Sequence, residues 1–262
     1  MDTPHILNEI VTAERVNVER LKSEVPVSEL RKKIDSQEIP LNLAGALMGD
    51  SVHVIAEVKK ASPAKGLLRQ NFDPVSLAKG YADNGASAIS VLTNQDYFQG
   101  SIDHLDAVHN AVSVKRVPIL RKEFIFDPYQ LYEARAYGAD AVLLIVAMLP
   151  QKTLEDLMEI SRNLWMQCLV EIHDENELGI ALESGAEMVG INNRDLRTFV
   201  TDLEVTDRLA PLVPEGKIVV SESGISSKND IGRVYVAGAH AVLVGEALVT
   251  SDDPGLILRN LV

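Results

Sequence analysis

Charged side chains of both signs follow apolar segments at spacings suited to proton transfer. Glu57 and Lys59 are two positions apart, so their side chains point to the same side of a β-strand. Lys122 and Glu171 end two later apolar segments. A neighbouring cation lowers the pKa of a lysine and a neighbouring anion raises it, so this group can supply a general acid and a general base near neutral pH. The alternative is a set of structural ion pairs, although buried charge is costly when it has no function.

Two glycine-containing segments near the end of the chain have the character of a phosphate site. Ser223-Gly224 and Gly245-Glu246 each follow an apolar segment. Glycine allows a ligand to approach the backbone closely, and backbone amides bind phosphate. Taken singly, such pairs also occur in plain turns. Glu246 is expected to offer its backbone N–H to the phosphate and to turn its carboxylate away.

Aromatic and metal-binding residue types give further limits. Phe98 and Phe124 follow two successive apolar segments, and two aromatic rings over one cavity indicate a ring-bearing substrate rather than loop packing alone. The single cysteine, Cys168, is expected to be buried core and excludes a disulfide framework. The histidines show no metal-ligand spacing: His5, His53, His104, His109, His173 and His240.

Eight short apolar segments alternate with helical segments after residue 50. Several are apolar on both faces, as expected of parallel strands covered by helices. The predicted strands are 52–58, 88–92, 117–120, 141–146, 168–172, 188–191, 217–220 and 241–244. The preceding residues have helical spacing, with Thr3 a possible N-cap, Pro4 in the first turn, and further short helices at 27–33 and 43–47.

An internal repeat favours a closed barrel over a doubly wound open sheet. Gly-Ala recurs at about fifty-residue intervals before a strand, and that period corresponds to two strand–helix units. No Gly-x-Gly-x-x-Gly follows the first predicted strand. We therefore predict an α/β fold, a (β/α)8 TIM barrel forming one domain over residues 1–262, with residues 1–50 as an N-terminal helical extension.

A barrel would place the charged residues together. Function sits at the carboxyl ends of barrel strands, and alternate strands contribute side chains to one layer. The residues from the first, third and fifth strands expected to meet near the axis are Glu57, Lys59, Lys122 and Glu171. The two glycine-containing segments fall after the seventh and eighth strands, where barrels often bind phosphate.

Composition excludes several other classes of protein. The 262 residues include 25 Lys and Arg against 38 Asp and Glu, a formal charge of −13, which argues against a nucleic-acid partner. The hydrophobic content of 46% is too high for disorder, and no apolar run approaches the roughly 20 residues of a membrane span. The first residues lack a basic and apolar leader. The expectation is a soluble cytoplasmic protein that does not bind membranes, as a monomer or weak homo-oligomer.

Taken together and in order, the motifs resemble those of the indole-3-glycerol phosphate synthase family over nearly the whole chain. The segments that carry the resemblance are EVKKASP at 57–63, LRKEFI at 120–125, DPYQ at 127–130, LVEIH at 169–173, GINNRDL at 190–196 and SESGI at 221–225. The resemblance implies a carboxy-lyase of tryptophan biosynthesis. It would close the ring of 1-(2-carboxyphenylamino)-1-deoxyribulose 5-phosphate, decarboxylate it and dehydrate it to indole-3-glycerol phosphate, with no cofactor and no metal.

The resemblance also implies roles for the charged residues. Lys122 corresponds to the general acid that protonates the ketone oxygen, and Glu171 to the base that assists loss of water. Lys59 corresponds to a lysine beside the substrate that serves as the acid in one step, so both lysines remain candidates. Glu57 corresponds to the carboxylate that positions the catalytic lysine.

The remaining site residues are also assigned by resemblance. Asn192 and Glu222 correspond to polar residues of the catalytic site, Arg194 to a residue near the anthranilate carboxylate, and Phe98 and Phe124 to walls around its ring. The positions implied to bind the substrate and its phosphate are Ser62, Ser223, Gly224, Gly245 and Glu246. The chain departs from the family pattern at Ala64, Asn94 and Glu123, which neighbour the site without being its proposed acid or base.

Two other functions remain open from the sequence. A phosphoribosylanthranilate isomerase-like enzyme is disfavoured because Cys168 lies in the fifth predicted strand, not at the end of the first. An inactive barrel that acts as a phosphate-binding subunit is disfavoured by the intact lysines and glutamates. The substrate that the resemblance implies carries a phosphate and a carboxylate, so the acidic chain must concentrate its cations at the mouth. We predict a positive patch there from Lys59, Lys65, Lys122 and Arg194.

Overall fold

The structure, a computed structural model, describes residues 5–262 and contains a closed barrel of eight parallel strands. Each strand pairs with its sequence neighbours, and β1 closes the barrel against β8. The strands are β1 (His53–Val58), β2 (Ala88–Leu92), β3 (Ile119–Lys122), β4 (Ala141–Ile145), β5 (Gln167–Ile172), β6 (Met188–Asn192), β7 (Ile218–Glu222) and β8 (Ala241–Val244). The predicted TIM barrel is confirmed.

All eight predicted strands form, but three of them, β3, β7 and by one residue β6, extend further toward the mouth than predicted. β3 begins at Ile119 because Pro118 has no N–H to donate to the ladder, and it continues through Lys122. β7 continues through Glu222. The two charged side chains therefore project from rigid strands rather than from the loops that follow them.

Helices cover the barrel and precede its first strand. The described helices are α1 (His5–Glu24), α2 (Val27–Ile34), α3 (Leu43–Ala46), α4 (Pro74–Asp83), α5 (Gln95–Phe98), α6 (Ile102–Val112), α7 (Pro128–Ala136), α8 (Gln151–Asn163), α9 (Glu175–Glu183), α10 (Glu204–Leu209), α11 (Lys228–Ala237), α12 (Glu246–Val249) and α13 (Pro254–Leu261). The helical extension before β1 is confirmed. The suggested cap Thr3 and first-turn residue Pro4 lie outside the described residues.

Local sequence signals explain where several helices begin and end. The side chains of Asp73, Asp127 and Asp253 accept backbone hydrogen bonds from the first turns of α4, α7 and α13, and proline follows each aspartate. The Gly-Ala repeat marks the turns into strands, where the glycines adopt positive φ angles that other residues rarely adopt. These glycines are Gly85, Gly138, Gly185 and Gly238.

Three groups of buried apolar residues hold the extension and the barrel together. One fills the barrel interior, where Leu43 and Leu47 from the α3 segment pack with the inward-facing strand residues. A larger group lies between the strands and the outer helices. A third, which includes Val18, Leu30 and Tyr129, packs α1 and α2 against α7. Among residues 5–262, no helix has the length and apolar composition that a membrane span requires.

Candidate active site

Lys122 is the central cation of the barrel mouth. Its neighbours on β3 point the other way, because successive side chains of a strand alternate between the two faces. Lys122 Nζ lies 2.5 Å from Glu222 Oε2 and 3.7 Å from Glu171 Oε2. Strands β3, β5 and β7 therefore bring one lysine and two glutamates together. The layering of alternate strands led us to expect Lys122 beside Glu171, whereas Glu222 was assigned to the site by resemblance alone.

A second charge pair lies on β1. Lys59 Nζ contacts Glu57 Oε1, and the Glu57 side chain is only 3% exposed. A Cβ atom at position 245 would overlap the Glu57 carboxylate, and one at position 190 would overlap that of Glu222. Glycine at these two positions therefore leaves the space that two of the buried carboxylates occupy.

Glu171 is held by two neighbours besides Lys122. Asn192 Nδ2 donates to Glu171 Oε1 at 3.1 Å, and His173 Nε2 lies 3.4 Å from the same oxygen. Asn192 Oδ1 in turn accepts hydrogen bonds from Ser223 Oγ at 3.0 Å and from the Arg194 backbone N–H at 3.1 Å. Asn192 thus connects the carboxylates around Lys122 to the loops after β6 and β7 through hydrogen bonds.

The pKa values of the cluster reflect burial opposed by charge. Burial disfavours the ammonium of Lys122, but Glu222, Glu171 and Glu57 outweigh it and raise the Lys122 pKa. Burial would raise the Glu171 pKa, yet the interaction with the nearby His173 and the charge of Lys122 lower it to about 2. Burial alone would also raise the Glu57 pKa, but the charges of Lys59 and Lys122 outweigh burial, so the Glu57 pKa is lowered.

Glu222 is the carboxyl group that titrates closest to neutrality. Burial raises its pKa, the charge of Lys122 opposes this, and the carboxylate of Glu171 raises it further, to about 7. Its Oε1 atom is buried without a hydrogen-bond partner among the described residues. Glu222 therefore exchanges a proton more readily near pH 7 than the other carboxyl groups beside Lys122.

A cavity of about 480 Å³ opens above this cluster, large enough for a small organic substrate. All the predicted site residues line it except Glu222, which lies behind Lys122 and is 1% exposed. The predicted residues on the wall are Glu57, Lys59, Ser62, Phe98, Lys122, Phe124, Glu171, Asn192, Arg194, Ser223, Gly224, Gly245 and Glu246.

The predicted phosphate residues lie on the side of the cavity formed by the β7 and β8 loops. Ser223 and Gly224 have φ angles of 67° and 85°, so the chain turns sharply directly after β7. Gly245 is the residue before the short helix α12. In the β1 loop, Ser62 Oγ accepts a hydrogen bond from the Lys65 backbone N–H at 3.3 Å.

The Glu246 carboxylate does not turn away from the cavity, which corrects the expectation from sequence. Its Oε1 atom lies 2.5 Å from Lys65 Nζ and its Oε2 atom 3.8 Å from Arg194 Nη2. Both cations line the cavity, and their attraction explains the direction of the carboxylate.

The two predicted aromatic residues lie side by side on the wall. The Phe98 and Phe124 ring centroids are 6.0 Å apart, with the ring planes inclined at 39°. This separation is typical of an aromatic pair and presents one broad apolar face to the cavity.

Each of the four cations predicted to make the mouth positive lines the cavity, and each has a carboxylate partner. Lys59 pairs with Glu57, Lys122 with Glu222 and Glu171, and Lys65 and Arg194 share Glu246. The concentration of cations is therefore present at the mouth, while a positive potential there stays a prediction.

Sequence reasoning missed the contribution of the N-terminal helix. Ile6, Leu7 and Ile10 of α1 line the cavity opposite the barrel, as do Leu196 and Phe199 after β6. The periodic apolar face of α1 was visible in the sequence, but periodicity does not show which surface a helix covers. The missed residues add apolar wall to the site.

Two further expectations concern metal and thiol chemistry. Among residues 5–262, the His, Cys, Asp and Glu side chains form no cluster arranged to hold a metal ion. Cys168 is partly exposed rather than fully buried, because it sits near the start of β5 on the outer face of the barrel. It packs with the outer core and is not on the cavity wall, so no observation favours an isomerase that uses this cysteine.

Known proteins resemble this chain over nearly its full length. Residues 7–261 match a family model described as indole-3-glycerol phosphate synthase. A protein of that name from Dehalococcoides mccartyi is 52% identical over 257 residues, covering 98% of this chain and 99% of the relative. Another from a Roseiflexus species is 51% identical over 267 residues, covering 100% of this chain and 98% of the relative.

Solved structures of lower identity share the fold. A thiamine phosphate pyrophosphorylase from Pyrococcus furiosus superimposes with a TM-score of 0.62 at 19% identity, covering 84% of this chain and 96% of that one. A 3-hexulose-6-phosphate synthase from Salmonella typhimurium gives 0.64 at 13% identity, covering 80% and 96%. At these identities the likeness extends to the barrel alone.

Proposed function

We propose residue roles for this chain from the premise that it belongs to the indole-3-glycerol phosphate synthase family. It is a carboxy-lyase of tryptophan biosynthesis. The reaction converts 1-(2-carboxyphenylamino)-1-deoxyribulose 5-phosphate into indole-3-glycerol phosphate by ring closure, decarboxylation and dehydration. The observation that carries the proposed roles is Lys122, a buried cation on the cavity wall in contact with Glu222 and Glu171.

Ring closure requires a proton at the ketone oxygen as the aromatic ring attacks the carbonyl carbon. Lys122 is the proposed acid because the surrounding carboxylates keep it charged and its ammonium borders the cavity. Glu222 is proposed to return the proton, because its pKa is raised to about 7 and it contacts the same ammonium. Carbon dioxide then leaves as the iminium of the closed ring accepts the electron pair, so this step needs no metal.

Dehydration requires an acid at the leaving hydroxyl and a base at the ring proton. Glu171 is the proposed base, since its lowered pKa keeps it ionised and Asn192 orients it. Lys59 is the proposed acid for the hydroxyl, because its ammonium lines the cavity beside Glu57. Lys122 and Lys59 thus act in different steps.

The rest of the wall supplies substrate binding. The phosphate is proposed to bind at Ser223, Gly224 and Gly245, where the backbone can approach it closely. Phe98 and Phe124 would face the anthranilate ring. The phosphate and carboxylate of the substrate would compete with the Glu246 carboxylate for Arg194 and Lys65, so substrate entry would displace the Glu246 side chain. Ser62 completes the wall beside Lys65.

The remaining parts of the proposal concern partners and location. A phosphorylated small molecule is the proposed partner, with neither nucleic acid nor a membrane, in keeping with the net charge of −13. A monomer or weak homo-oligomer in the cytoplasm is proposed, in keeping with a single cysteine. No cofactor is included in the proposal.

The test is the appearance of indole fluorescence when the purified protein receives the carboxyphenylamino substrate. Lys122→Met should abolish turnover while the protein stays folded by circular dichroism. Lys152→Met is the matched control, because Lys152 is exposed on α8 and pairs with the neighbouring Asp156. Near-normal activity of Lys122→Met would assign the ring-closing acid to Lys59, and no activity of the folded native protein would contradict the function itself.

A further inference from the structure

His173 has a carboxylate oxygen beside each of its ring nitrogens. Nε2 lies 3.4 Å from Glu171 Oε1, and Nδ1 lies 3.0 Å from Glu177 Oε2. The side chains of Glu171 and Glu177 are 4% and 8% exposed, so both carboxylates are largely shielded from solvent. The histidine therefore bridges two buried anions.

The geometry fixes the charge of the ring. A neutral imidazole carries one N–H and can donate to only one acceptor, whereas an imidazolium donates from both nitrogens. An ionised carboxylate only accepts hydrogen bonds. A carboxylate beside each nitrogen favours the charged ring, which hydrogen-bonds Glu177 through Nδ1 and pairs electrostatically with Glu171 through Nε2, and burial is outweighed so that the His173 pKa rises to about 10.

Glu177 is itself held in place from the backbone. Its Oε2 atom also accepts the His173 backbone N–H at 2.8 Å, and its own N–H donates to Asp174 Oδ1 at 2.9 Å in the first turn of α9. The Glu177 carboxylate is therefore fixed relative to the end of β5, the strand that carries Glu171.

His173 reaches the chemistry only through Glu171. Glu171 lines the substrate cavity, whereas His173 and Glu177 line a separate cavity of about 610 Å³ on the other side of the β6 loop. The other charged residues on that second wall are Asp174, Arg194, Asp195, Arg197, Asp202 and Arg208. Of these, Arg208 pairs with Glu175 of α9, outside the bridge.

We propose that His173, kept charged by Glu177, is a positioning residue that holds Glu171 ionised and oriented for its role as base. The inference rests on the proposed function, because that role belongs to Glu171. The result is a series of alternating charges, Glu171–His173–Glu177, that extends from the substrate cavity to the first turn of α9.

Loss of the imidazolium should change the pH at which Glu171 becomes protonated. Burial raises the pKa of Glu171, and the interaction with His173 at 3.4 Å opposes it and lowers that pKa. His173→Gln keeps an amide donor but removes the charge. We expect the acid limb of the kcat/KM profile to move up by about 1 to 3 pH units, because Glu171 then loses the cation that favours its ionised form.

Glu177→Gln tests the same series without touching the histidine. It should move the acid limb in the same direction by a smaller amount and lower the His173 pKa. Glu175→Gln is the matched control, since Glu175 lies in the same turn of α9 but pairs with Arg208. It should leave the profile unchanged. Side-chain ¹H–¹⁵N spectra of the native protein should show both His173 ring nitrogens protonated at pH 8.

The outcomes separate this inference from the proposed function. If Glu171→Gln destroys activity but folded His173→Gln keeps the native acid limb, the positioning role is wrong and the base stands. If Glu171→Gln retains native kcat, the base assignment fails whatever His173 does. A neutral His173 ring at pH 8 would overturn the inference even if the His173 variant failed to fold.

Discussion

Two buried clusters of charge lie back to back on β3, separated by the thickness of one strand. The inner cluster surrounds Lys122 on the axis side. The outer cluster surrounds Arg121 and Glu123, whose side chains lie between the barrel and α1 and α7, although Glu123 also borders the cavity. Adjacent residues thus serve opposite faces of one strand.

The outer cluster is fully paired. Arg121 donates to Thr93 at 3.1 Å and to the Gln130 backbone carbonyl at 2.9 Å, and its Nη2 lies 2.6 Å from Glu133 Oε2. Glu123 accepts hydrogen bonds from Thr93 at 2.7 Å and from Asn94 at 3.1 Å. Donors and acceptors here are matched within the protein, as buried polar groups generally require.

The inner cluster has carboxylates in excess and an open side. Three carboxylates act on Lys122, Glu222 Oε1 has no hydrogen-bond partner among the described residues, and the cluster borders the cavity of about 480 Å³. Burial and charge are common to both clusters, so neither property identifies a catalytic group by itself. What distinguishes the inner cluster is that its central cation, Lys122, lines the cavity, whereas Arg121 of the outer cluster does not.

The largest expected effect is on turnover, from removing an inner carboxylate. Glu171→Gln should lower kcat by about 10²- to 10⁴-fold, the usual contribution of a general base. Its cost in unfolding free energy should be smaller than that of the outer-cluster change below, because Lys122 keeps Glu222 as its closer partner and His173 keeps Glu177. Indole fluorescence and urea unfolding measure the two quantities. A variant that lost stability but kept its turnover would remove the distinction between the clusters.

The matched change in the outer cluster should have the opposite result. Glu133→Gln leaves the buried Arg121 guanidinium without its carboxylate and should cost about 3 to 5 kcal/mol of unfolding free energy. The remaining folded enzyme should keep kcat within a few-fold of the native value, measured at a temperature well below the unfolding transition. A large loss of kcat in protein that is fully folded would show that the outer cluster also acts on the chemistry.

How much of this could be predicted from the sequence depends on how local the signal is. The eight strands are visible because parallel, doubly covered strands consist of apolar runs. The prediction that β3 ends at residue 120 was wrong because Lys122 belongs to a strand end that faces polar surroundings. Apolar patterning stops where a barrel interior becomes a binding site.

The contents of the site followed from barrel geometry, but its pairings did not. Knowing that Glu57, Lys122 and Glu171 share a layer does not say that Lys122 contacts Glu222 more closely than Glu171. Such pairings depend on sub-ångström differences in side-chain packing. The docking of Leu7 over the mouth likewise depends on how α1 and α2 pack on α7, which no local pattern encodes.

Glu14 provides a smaller test of the outer cluster, through the pH dependence of stability. Burial and the nearby Glu123 raise its pKa from 4.5 to about 8. Between these values the unfolded chain has lost a proton that the folded chain keeps, so stability falls as the pH rises from 4.5 to 8. Glu14→Gln should remove this slope and be more stable at pH 8 by about 1 to 3 kcal/mol.

The matched control for Glu14 is Glu19→Gln on the exposed side of the same helix. Glu19 pairs with Lys22 and its side chain is 73% exposed, so its removal should leave the slope unchanged. Urea unfolding at pH 5 and pH 8 measures the difference. Equal slopes for the native protein and Glu14→Gln would contradict a protonated Glu14 in the folded state.

The smallest effect should come from Asn94, which joins the outer cluster to the substrate wall. Its Nδ2 donates to Glu123 and its Oδ1 accepts the Tyr97 backbone N–H at the start of α5, the helix that ends at Phe98. Loss of such a cap costs about 1 kcal/mol, so Asn94→Ala should raise KM roughly fivefold by loosening Phe98 while kcat, set by strand-borne residues, stays close to native. Asp253→Ala removes a comparable cap from α13 and should cost stability without changing KM. An equal rise in KM for both variants would mean that a general loss of stability weakens substrate binding, and not a change in the position of Phe98. The outer cluster would then have no part in forming the substrate wall.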